Sequence, residues 1–541
     1  MHLKCVNEGM DEVNYGCWQS NPDIAKFMKD QNMTKVNQVE EYYVRKTLTN
    51  VKDVGYNTML WQDPVDNGVK LDKDSIVVIW KDTYLDSNLD LWQNYISKIA
   101  KNGYQMVLSA CWYLNYISTP YPDKDWEKYY LCDPRHFNGT ESEKDLVIGG
   151  EVCMWSEFVD GTNVLSRLWP RASSAAERLW SNSESTQDVD TARLRLDQHR
   201  CRMLRRGIPA APILNGYCGD YEWEMNNQEK LMDLGDRGVQ ATTCPKGNVP
   251  EPGNPWPLPQ QWVRSADVST LDPKGFRFDT NMKSCDVLVN GMKRYRDIIF
   301  LDQRSVKSSQ HPVLKSVFID VQHINDCDFP KHEEDESYTL NITLNGSAKI
   351  TSVTVWGALR ALETFSQLVY QNEITKEISV NSTQITDFPR YKFRAMHLDT
   401  ARHFVPKKVI LANLDAMAYN KFNVFHWHII DDQSFPFESI RYPELTKKGA
   451  YSPKHVYTQK DVSDIIEYSR MRGIRVIPEI DSPGHTHAMA RAFPELLTPC
   501  YGQKDKPYTP HYPDYSASEL LNPLKNFTFV FLKELFKEFK Q

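Results

Sequence analysis

The 541-residue chain lacks any apolar run of about 18 residues, so no membrane-spanning helix is expected. The segment 1–10 carries charge and has no apolar core of the kind found in a secretory signal. An excess of basic residues is also missing, since 64 Lys and Arg stand against 71 Asp and Glu, for a net charge of −7. This balance offers no basic stripe for nucleic acid or an acidic membrane. No C-x-x-C pair, internal repeat or low-complexity segment occurs, and the missing C-x-x-C argues against structural zinc.

The cysteines and the N-glycosylation sequons point to an oxidising compartment. The 11 Cys fit disulfides plus at least one free thiol. Six Asn-x-Ser/Thr sequons are more than chance alone would give, which favours a glycoprotein. The sequons lie at Asn32, Asn138, Asn341, Asn345, Asn381 and Asn526. The 14 Trp and 27 Tyr are ordinary material for packing, and their flat faces would also suit a sugar.

A linker is expected at 220–255, because 246–259 carries five Pro and two Gly and cannot form regular structure. It separates a unit at 1–219 from the rest of the chain. The next unit, 256–389, has an α+β pattern with strands at 316–322, 338–344 and 349–355 and a helix at 357–369. Asn345-Gly346 predicts a hairpin turn between the second and third of these strands.

The last unit, 390–541, alternates short apolar strands with helices. Strands are predicted at 393–399, 423–430 and 475–480, with helices at 406–419 and 458–472 and within 518–540. Three such units are too few for a closed barrel. The first unit supplies strands at 58–61, 76–80, 106–112 and 146–155 and one before Asp11, with helices at 89–102, 167–180 and 189–206. Three plus five strands predict a (β/α)8 barrel built from both ends of the chain, with the α+β domain between them.

Acidic and aromatic residues fall where these strands would end. Active groups of such barrels lie at the C-terminal ends of the strands. Any one of these residues could instead be barrel packing, but the whole set suits a pyranose, with a polar floor and aromatic walls. The adjacent carboxylates Asp11 and Glu12 would follow the fourth strand, and two acids in different environments often carry out glycoside chemistry.

Several long motifs resemble the β-N-acetylhexosaminidases of glycoside hydrolase family 20, especially the animal lysosomal type. They are LDTARHF, NKFNVFHWHIIDDQSFPF, YSRMRGIRVIPEIDSPGHT, DEVNYGCW, GGEVCMWSEFVDGTN and RLWPRASSAAERLW. The order is rotated, because the family's N-terminal domain resembles the chain from Pro255 onward and the family's C-terminal end resembles the segment closing at Cys218. A circular permutation or two truncated tandem copies would give this order.

The resemblance implies hydrolysis of terminal β-linked N-acetylglucosamine or N-acetylgalactosamine with retention and without a cofactor or metal. In this family the substrate's own acetamido oxygen attacks C1 to form an oxazolinium ion. Glu12 would be the general acid and base, with a raised pKa, and Asp11 would orient the acetamide N–H. Tyr113 would bond the acetamide oxygen, and Asp431, His485 and Asp481 would support Glu12 from behind. Trp61, Trp80 and Trp155 would wall the pocket, Arg402 and Glu157 would grip hydroxyls, and Asn115 bears on the preference for sulfated or neutral sugars.

The resemblance also implies disulfides Cys17–Cys500, Cys201–Cys218 and Cys285–Cys327, which leaves Cys5, Cys111, Cys132, Cys153 and Cys244, most of them expected as unpaired thiols. The family has two Gly before the Asp-Glu pair, on a strand that carries His-Leu. Here Glu8 and Met10 depart from that pattern, so the fourth strand is expected to be short or missing. A lysosomal or secreted homodimer that acts on glycoprotein, glycolipid or chitooligosaccharide ends is expected.

Two other readings remain open at this point. His426 and His428, with Asp431 and His485, imitate the metal site of a barrel hydrolase. A catalytically impaired sugar-binding homologue, or a rearranged gene product, would share every motif. An assay with a chromogenic N-acetylglucosaminide, with Glu12→Gln as control, separates these readings from the enzyme.

Overall fold

A computed structural model describes residues 5–83, 87–116, 125–216, 218, 252–301, 311–324, 326–343, 346–371, 377–501 and 520–540. Its strands are β1 Cys5–Gly9, β2 Asn57–Trp61, β3 Ile76–Ile79, β4 Gln105–Leu108, β5 Val147–Met154, β6 Gln261–Thr270, β7 Arg277–Thr280, β8 Ser316–Val321, β9 Tyr338–Ile342, β10 Ala348–Ser352, β11 Tyr370–Gln371, β12 Ile378–Asp387, β13 Phe393–Asp399, β14 Val424–His428 and β15 Arg475–Ser482.

The helices follow in the same chain order. They are α1 Tyr15–Ser20, α2 Pro22–Asp30, α3 Asn37–Val54, α4 Asp63–Asp66, α5 Trp92–Lys101, α6 Asp125–Leu131, α7 Glu141–Lys144, α8 Val164–Leu168, α9 Arg171–Trp180, α10 Val189–Arg205, α11 Asp286–Ile299, α12 Val355–Leu368, α13 Lys407–Tyr419, α14 Pro443–Gly449, α15 Gln459–Arg470, α16 His487–Ala490 and α17 Asn526–Lys540. No helix in the described ranges is long and apolar enough to cross a membrane.

Local signals in the sequence explain where several helices begin and end. Asn21 caps α2 by accepting from the amides of Asp23 and Ile24, and proline follows it at the first helical position. Thr458 and Asp461 form a capping box at the start of α15. Gly55 ends α3 in the left-handed conformation that a residue with a side chain adopts only at a cost.

The predicted eight-stranded barrel is confirmed. Its closed order is β13-β14-β15-β1-β2-β3-β4-β5, and every neighbouring pair is parallel. Strands from 390–541 and from 1–219 therefore share one barrel. The last helix, α17, packs on α3, and Lys540 bonds the carbonyl of Val54, while Cys5 pairs with Asn57 at the start of β2. The first and last described elements thus meet at the same α3–β2 unit.

The strand before Asp11 was expected to be short or missing, and that expectation was wrong. β1 has five residues, the same length as β2 and β14, and it pairs with β2 on one side and β15 on the other. The carboxyl group of Glu8 is completely buried, and burial raises its pKa well above the ordinary value. A neutral carboxyl can remain in the layer between strand and helices, so the strand survives the substitution.

Alternate side chains of each strand point into the barrel. At its lower end, where the strands begin, these inward side chains are apolar, and at its upper end, where the strands finish, they are ionisable. On β14 the inward positions run Val424, His426, His428, and on β15 they pass from Ile477 to Glu479. A cavity of about 250 Å³ lies at the lower end of the barrel, beside the first residues of β1, β3, β13 and β15. It is remote from the strand ends where the acidic residues gather, so cavity size does not locate the site.

The inserted domain is a mixed seven-stranded sheet in the order β11-β12-β9-β10-β8-β7, with β6 also paired to β12. The predicted hairpin is confirmed, because β9 and β10 pair antiparallel around Gly346. All residues of α12 are buried, and Arg360 on this helix bonds the carbonyls of Arg472 and Gly473 in the barrel. Helix α12 is therefore held between the sheet and the barrel.

Four disulfides are present among the described residues. Cys201–Cys218 and Cys285–Cys327 are local, while Cys17–Cys500 joins the two halves of the barrel with Cα atoms 4.7 Å apart. A fourth bridge, Cys111–Cys132, corrects the expectation of unpaired thiols at those two positions. It links the turn after β4 to the end of α6, which the sequence spacing did not reveal. Cys5 and Cys153 are free, and Cys244 lies outside the described residues.

The sequons differ in accessibility. Asn32, Asn138, Asn341 and Asn526 are exposed, and Asn345 lies outside the described residues. Asn381 is only 8% exposed in β12, and its amide nitrogen donates to the carbonyl of Ser265. This asparagine does not fit a glycan acceptor, because the nitrogen that would carry the sugar is buried in the sheet.

Candidate active site

The residues singled out in the sequence converge at the C-terminal ends of the barrel strands. Each strand contributes at least one of them. They are Arg402 after β13, Asp431 after β14, Asp481 and His485 at the end of β15, Asp11 and Glu12 after β1, Trp61 at the end of β2, Trp80 after β3, Tyr113 and Asn115 after β4, and Trp155 and Glu157 after β5.

The two adjacent acids have different environments. Asp11 is 8% exposed, and its Oδ1 has no hydrogen-bond partner among the described residues, whereas the Glu12 side chain is 50% exposed. Burial raises the pKa of Asp11 above its ordinary value, and nearby carboxylates add to the rise. The backbone amide of Glu12 points at Asp63 Oδ1, 3.4 Å away.

The expectation that Glu12 would have a raised pKa was wrong. His485 interacts with Glu12 and lowers the pKa of that carboxyl, with Nε2 and Oε2 3.5 Å apart. Burial of His485 opposes its charge, but Asp431 and Asp481 raise its pKa well above the ordinary value. The His485 imidazolium therefore stabilises the ionised form of Glu12. This attraction exceeds the opposing effect of burial beside Asp11.

Asp431 is the centre of a group of charged contacts. Its Oδ2 lies 3.0 Å from Arg402 Nη1 and 2.6 Å from His428 Nε2, and its Oδ1 lies 3.3 Å from His485 Nδ1. Although burial opposes ionisation, Arg402 and His485 hold the pKa of Asp431 well below its usual range. A buried anion fixed by three cationic groups gives Arg402 and His485 defined positions.

Asp481 supports the segment that carries the acid pair. Its Oδ1 accepts from the amide of Met10 at 3.1 Å, and burial raises its pKa well above the ordinary value. Gly9 has φ +69°, and a Cβ there would lie 1.7 Å from Asp481 Oδ1. A glycine is therefore needed at this position for the chain to pass Asp481 and present Asp11.

Aromatic residues form one side of the site. Trp61 donates from Nε1 to Glu479 at 2.8 Å, and its ring lies 5.9 Å from that of Trp155. The Arg402 guanidinium lies over Trp155, 4.7 Å from the ring centroid. Tyr113 is buried in the segment after β4, where it pairs with Cys153 of β5. These fixed rings present an apolar face next to the carboxylates.

The remaining predicted residues lie toward the rim. Trp80 donates from Nε1 to Asp63 Oδ2 at 2.7 Å. The Asn115 side-chain oxygen is buried and has no hydrogen-bond partner within the described segments. Glu157 lies at the exposed rim, and partial loss of hydration around its carboxyl raises its pKa, against the attraction of Arg402.

Two carboxylates at strand ends, Asp399 and Asp63, were given no role in the sequence analysis. Asp399 accepts from the amide of Ser156 at 3.0 Å and lies 3.3 Å from Arg402 Nη1. Asp63 bonds Trp80 and lies 2.9 Å from Lys81 Nζ. Both are carboxylates at strand ends, which was the available signal, but their contacts cross between strands and only the fold reveals them.

Several groups of donor atoms lie close enough together to surround a cation. One consists of Asp431, Asp432 and His485, and another of His397, His426 and Glu479. Metal ligation needs a neutral imidazole. The pKa of His485 and that of His426 are raised by their carboxylate neighbours, against the effect of burial, so each ring would have to give up a proton to bind a metal. The charges therefore do not favour a metal centre.

The family model for the catalytic domain of glycosyl hydrolase family 20 matches residues 1–183 and 391–541. The chain belongs to this family. A second model, described as beta-acetyl hexosaminidase like, matches 255–368 between the two segments. The catalytic domain of this family 20 member is thus encoded in two separated pieces that fold into one barrel.

Curated relatives match about half of the chain. Beta-hexosaminidase subunit beta of Felis catus is 42% identical over 308 residues, covering 55% of this chain and 56% of its own. Beta-hexosaminidase subunit alpha of Rattus norvegicus is 43% identical over 296 residues, covering 52% and 54%. The chain spans about half the length of the curated relatives it matches. A solved chitobiase from Flavobacterium johnsoniae is 30% identical, covers 52% of this chain and 41% of its own, and has a TM-score of 0.43.

Proposed function

We propose that the protein is a retaining β-N-acetylhexosaminidase that removes terminal β-linked N-acetylglucosamine or N-acetylgalactosamine from glycoconjugates. The observation that carries this proposal is the arrangement of Glu12, His485 and Asp431 in one line beside the buried Asp11. Contacts of 3.5 Å and 3.3 Å connect the three groups of that line. Family membership supports the same chemistry.

Glu12 is the proposed acid that protonates the leaving oxygen and the base that then activates water. Its half-exposed side chain would lose water when a sugar enters, which raises the pKa of a carboxyl. His485 can hold the carboxylate in position between turnovers, because its imidazolium lies on the inner side of Glu12. The lowered pKa of Glu12 is thus compatible with an acid that takes up its proton with the substrate.

The nucleophile in this proposal is the acetamido oxygen of the substrate. Asp11 accepts the acetamide N–H and stabilises the positive charge that develops on the oxazolinium ring. Its free Oδ1 has no competing partner among the described residues. Tyr113 donates to the acetamide oxygen and orients it toward C1. Removing one such oriented donor costs about 10²–10³-fold in kcat, so Tyr113→Phe is expected to lower kcat in that range while the protein still folds.

Binding of the sugar ring is assigned to charged groups and rings at the rim. Arg402 and Glu157 grip the hydroxyls, and Asn115 contacts the part of the sugar that distinguishes sulfated from neutral substrates. Trp61, Trp80 and Trp155 enclose the acetamide and the ring face. The fixed position of Arg402 between Asp431 and Trp155 supports its role, because a preorganised cation loses little freedom on binding.

An extracytoplasmic location and a homodimer complete the proposal. The four disulfides favour an oxidising compartment, secreted or lysosomal. The curated relatives are named as subunits, which supports assembly of two chains here. Asn32, Asn138, Asn341, Asn345 and Asn526 are the proposed glycan acceptors.

The test compares nitrophenyl glycosides that differ only at C2. We expect turnover of the β-N-acetylglucosaminide and β-N-acetylgalactosaminide but not of the β-glucoside, because only the first two carry the nucleophile. A trifluoroacetamido analogue should react more slowly, since fluorine withdraws electrons from the attacking oxygen. Equal rates for the acetamido and trifluoroacetamido substrates would contradict substrate assistance. Binding of N-acetylglucosamine without any turnover would instead support an impaired sugar-binding homologue.

A further inference from the structure

The charged line at the active site does not stop at Asp431 but continues down the barrel axis. His428 Nε2 lies 2.6 Å from Asp431 Oδ2, and its other ring nitrogen, Nδ1, lies 2.9 Å from Glu479 Oε2. That same oxygen lies 3.2 Å from His426 Nε2, and His426 Nδ1 lies 2.8 Å from Glu151 Oε2. We call His428, Glu479, His426 and Glu151 the axial network. All four side chains are completely buried.

Acids and imidazoles alternate along this line. From the bottom of the site it runs Glu151, His426, Glu479, His428, Asp431, and it then reaches Glu12 through His485. Against the effect of burial, Glu151 and Glu479 raise the pKa of His426 to about 10. Glu479 and Asp431 likewise raise the pKa of His428 to about 9. Each imidazolium lies between two carboxylates, which is the arrangement that compensates buried charge.

Other groups also face the network. His397 Nε2 lies 3.1 Å from Glu479 Oε2, and burial lowers the pKa of this histidine, which favours the neutral ring. Cys153 and Ser109 face Glu151, and burial raises the pKa of the Cys153 thiol. Asn7 on β1 accepts from the Gly9 amide through Oδ1, and its Nδ2 lies 3.1 Å from His426 Nε2. This contact favours an unprotonated Nε2, whereas the contacts of His426 with Glu151 and Glu479 favour the imidazolium.

We propose that the axial network is a set of positioning residues which keep Asp431 and His485 charged and fixed, and through them control the protonation of Glu12. This proposal rests on the proposed hexosaminidase activity and deepens it. The physical reason is that a buried ion whose partner is removed gives up its charge. If Glu151 becomes neutral, His426 loses one of its two anions, and the line titrates at lower pH.

The test uses Glu151→Gln, with Glu151→Asp as the conservative variant. In protein labelled with ¹⁵N-histidine, the wild type should show His426 and His428 as imidazolium ions at pH 7. In Glu151→Gln the pKa of His426 should fall by about 1–3 units, the size expected for one contact charge. Loss of positive charge along the line should raise the pKa of Glu12, which His485 lowers, so the basic limb of the kcat/KM profile should move to higher pH in the same variant, and Glu151→Asp should restore it in part.

Glu177→Gln is the matched control. Glu177 is also a completely buried carboxylate, paired at 2.7 Å with Arg195 on the outer helix layer, away from the axis. This control should lower stability without moving the pH limbs. Neutral rings at His426 and His428 in the wild type would overturn the proposal, as would unmoved limbs in an active Glu151→Gln. The NMR measurement on the wild type tests the charges of His426 and His428 directly. It therefore gives a result even if Glu151→Gln does not fold, or if the wild type is inactive and the proposed function fails.

Discussion

Replacing Glu8 with leucine should stabilise the protein, and by more at neutral than at acidic pH. Glu8 lies on β1 between two buried neighbours, and neither of its carboxyl oxygens has a hydrogen-bond partner in the described part of the chain. Burial raises its pKa well above the ordinary 4.5, against the smaller opposing effect of the backbone amides of Glu8 and Met59, which lie outside good hydrogen-bond geometry. The unfolded chain therefore releases this proton at a lower pH than the folded chain, and stability declines as pH rises above about 4.5.

The magnitude follows from two contributions. An unpaired buried polar group costs about 1–3 kcal/mol, and burying a leucine in its place gains about 1.5–3 kcal/mol. Each pH unit over which the folded carboxyl stays protonated while the unfolded one ionises costs about 1.4 kcal/mol more. The advantage of Glu8→Leu should thus be about 3–6 kcal/mol near pH 4.5 and should increase by about 1.4 kcal/mol per pH unit above it.

Urea unfolding at pH 5, 6 and 7, followed by tryptophan fluorescence, measures both contributions. Glu8→Gln is the matched variant, because it keeps the unpaired polar group but cannot ionise. We expect Glu8→Gln to equal the wild type near pH 4.5 and to gain stability only as pH rises. An advantage of Glu8→Leu that is the same at all three pH values would refute the reasoning, and so would a less stable Glu8→Leu.

Three further predictions concern the site and its scaffold. Gly9→Ala should lower kcat/KM by about 10²-fold, because the added Cβ displaces Asp481 and the acid pair. The control Gly207→Ala, with φ +83° and no heavy atom within 4 Å of the added Cβ, should cost only about 1 kcal/mol of stability. Equal effects of the two variants on kcat/KM would contradict the close approach of Gly9 to Asp481. Cleavage at a protease site inserted near residue 230 should leave one band on a non-reducing gel and two on a reducing gel, because Cys17–Cys500 is the only described disulfide across that cut; Cys17→Ser should give two bands on both gels. Turnover should be unchanged by EDTA, and a loss that Zn²⁺ restores would reinstate the metal-dependent alternative.

The barrel could be predicted from the sequence because its strands and turns are specified by local patterns of residues. Strands such as Ile76–Ile79 are short apolar runs, and Asn345-Gly346 is a turn signal that needs no tertiary context. The edge strand Gln261–Thr270 was missed because its side chains are mostly exposed or half-buried and carry little apolar pattern. It forms through pairing with Ile378–Asp387, which lies far along the chain.

For the candidate site too, the local features could be predicted and those that depend on tertiary contacts could not. Residue types at strand ends identified the acids and the aromatic rings, since the position of a strand end is a local property. The protonation of Glu12 could not be deduced, because it depends on His485 from the opposite end of the chain and on Asp431 behind it. The Cys111–Cys132 pairing was likewise missed, because only the packing of α6 against the turn after β4 brings the two cysteines together.

The most direct test of the central claim is turnover of 4-nitrophenyl N-acetyl-β-glucosaminide by folded wild-type protein and by Glu12→Gln, measured from pH 4 to pH 8. The account predicts turnover by the wild type and a loss of about 10²–10⁴-fold in kcat for Glu12→Gln, the range for removal of a general acid and base. Near-ultraviolet circular dichroism should be the same for both proteins, since the Glu12 side chain is half exposed. A folded wild type without turnover, or a Glu12→Gln variant that retains full activity, would contradict the account.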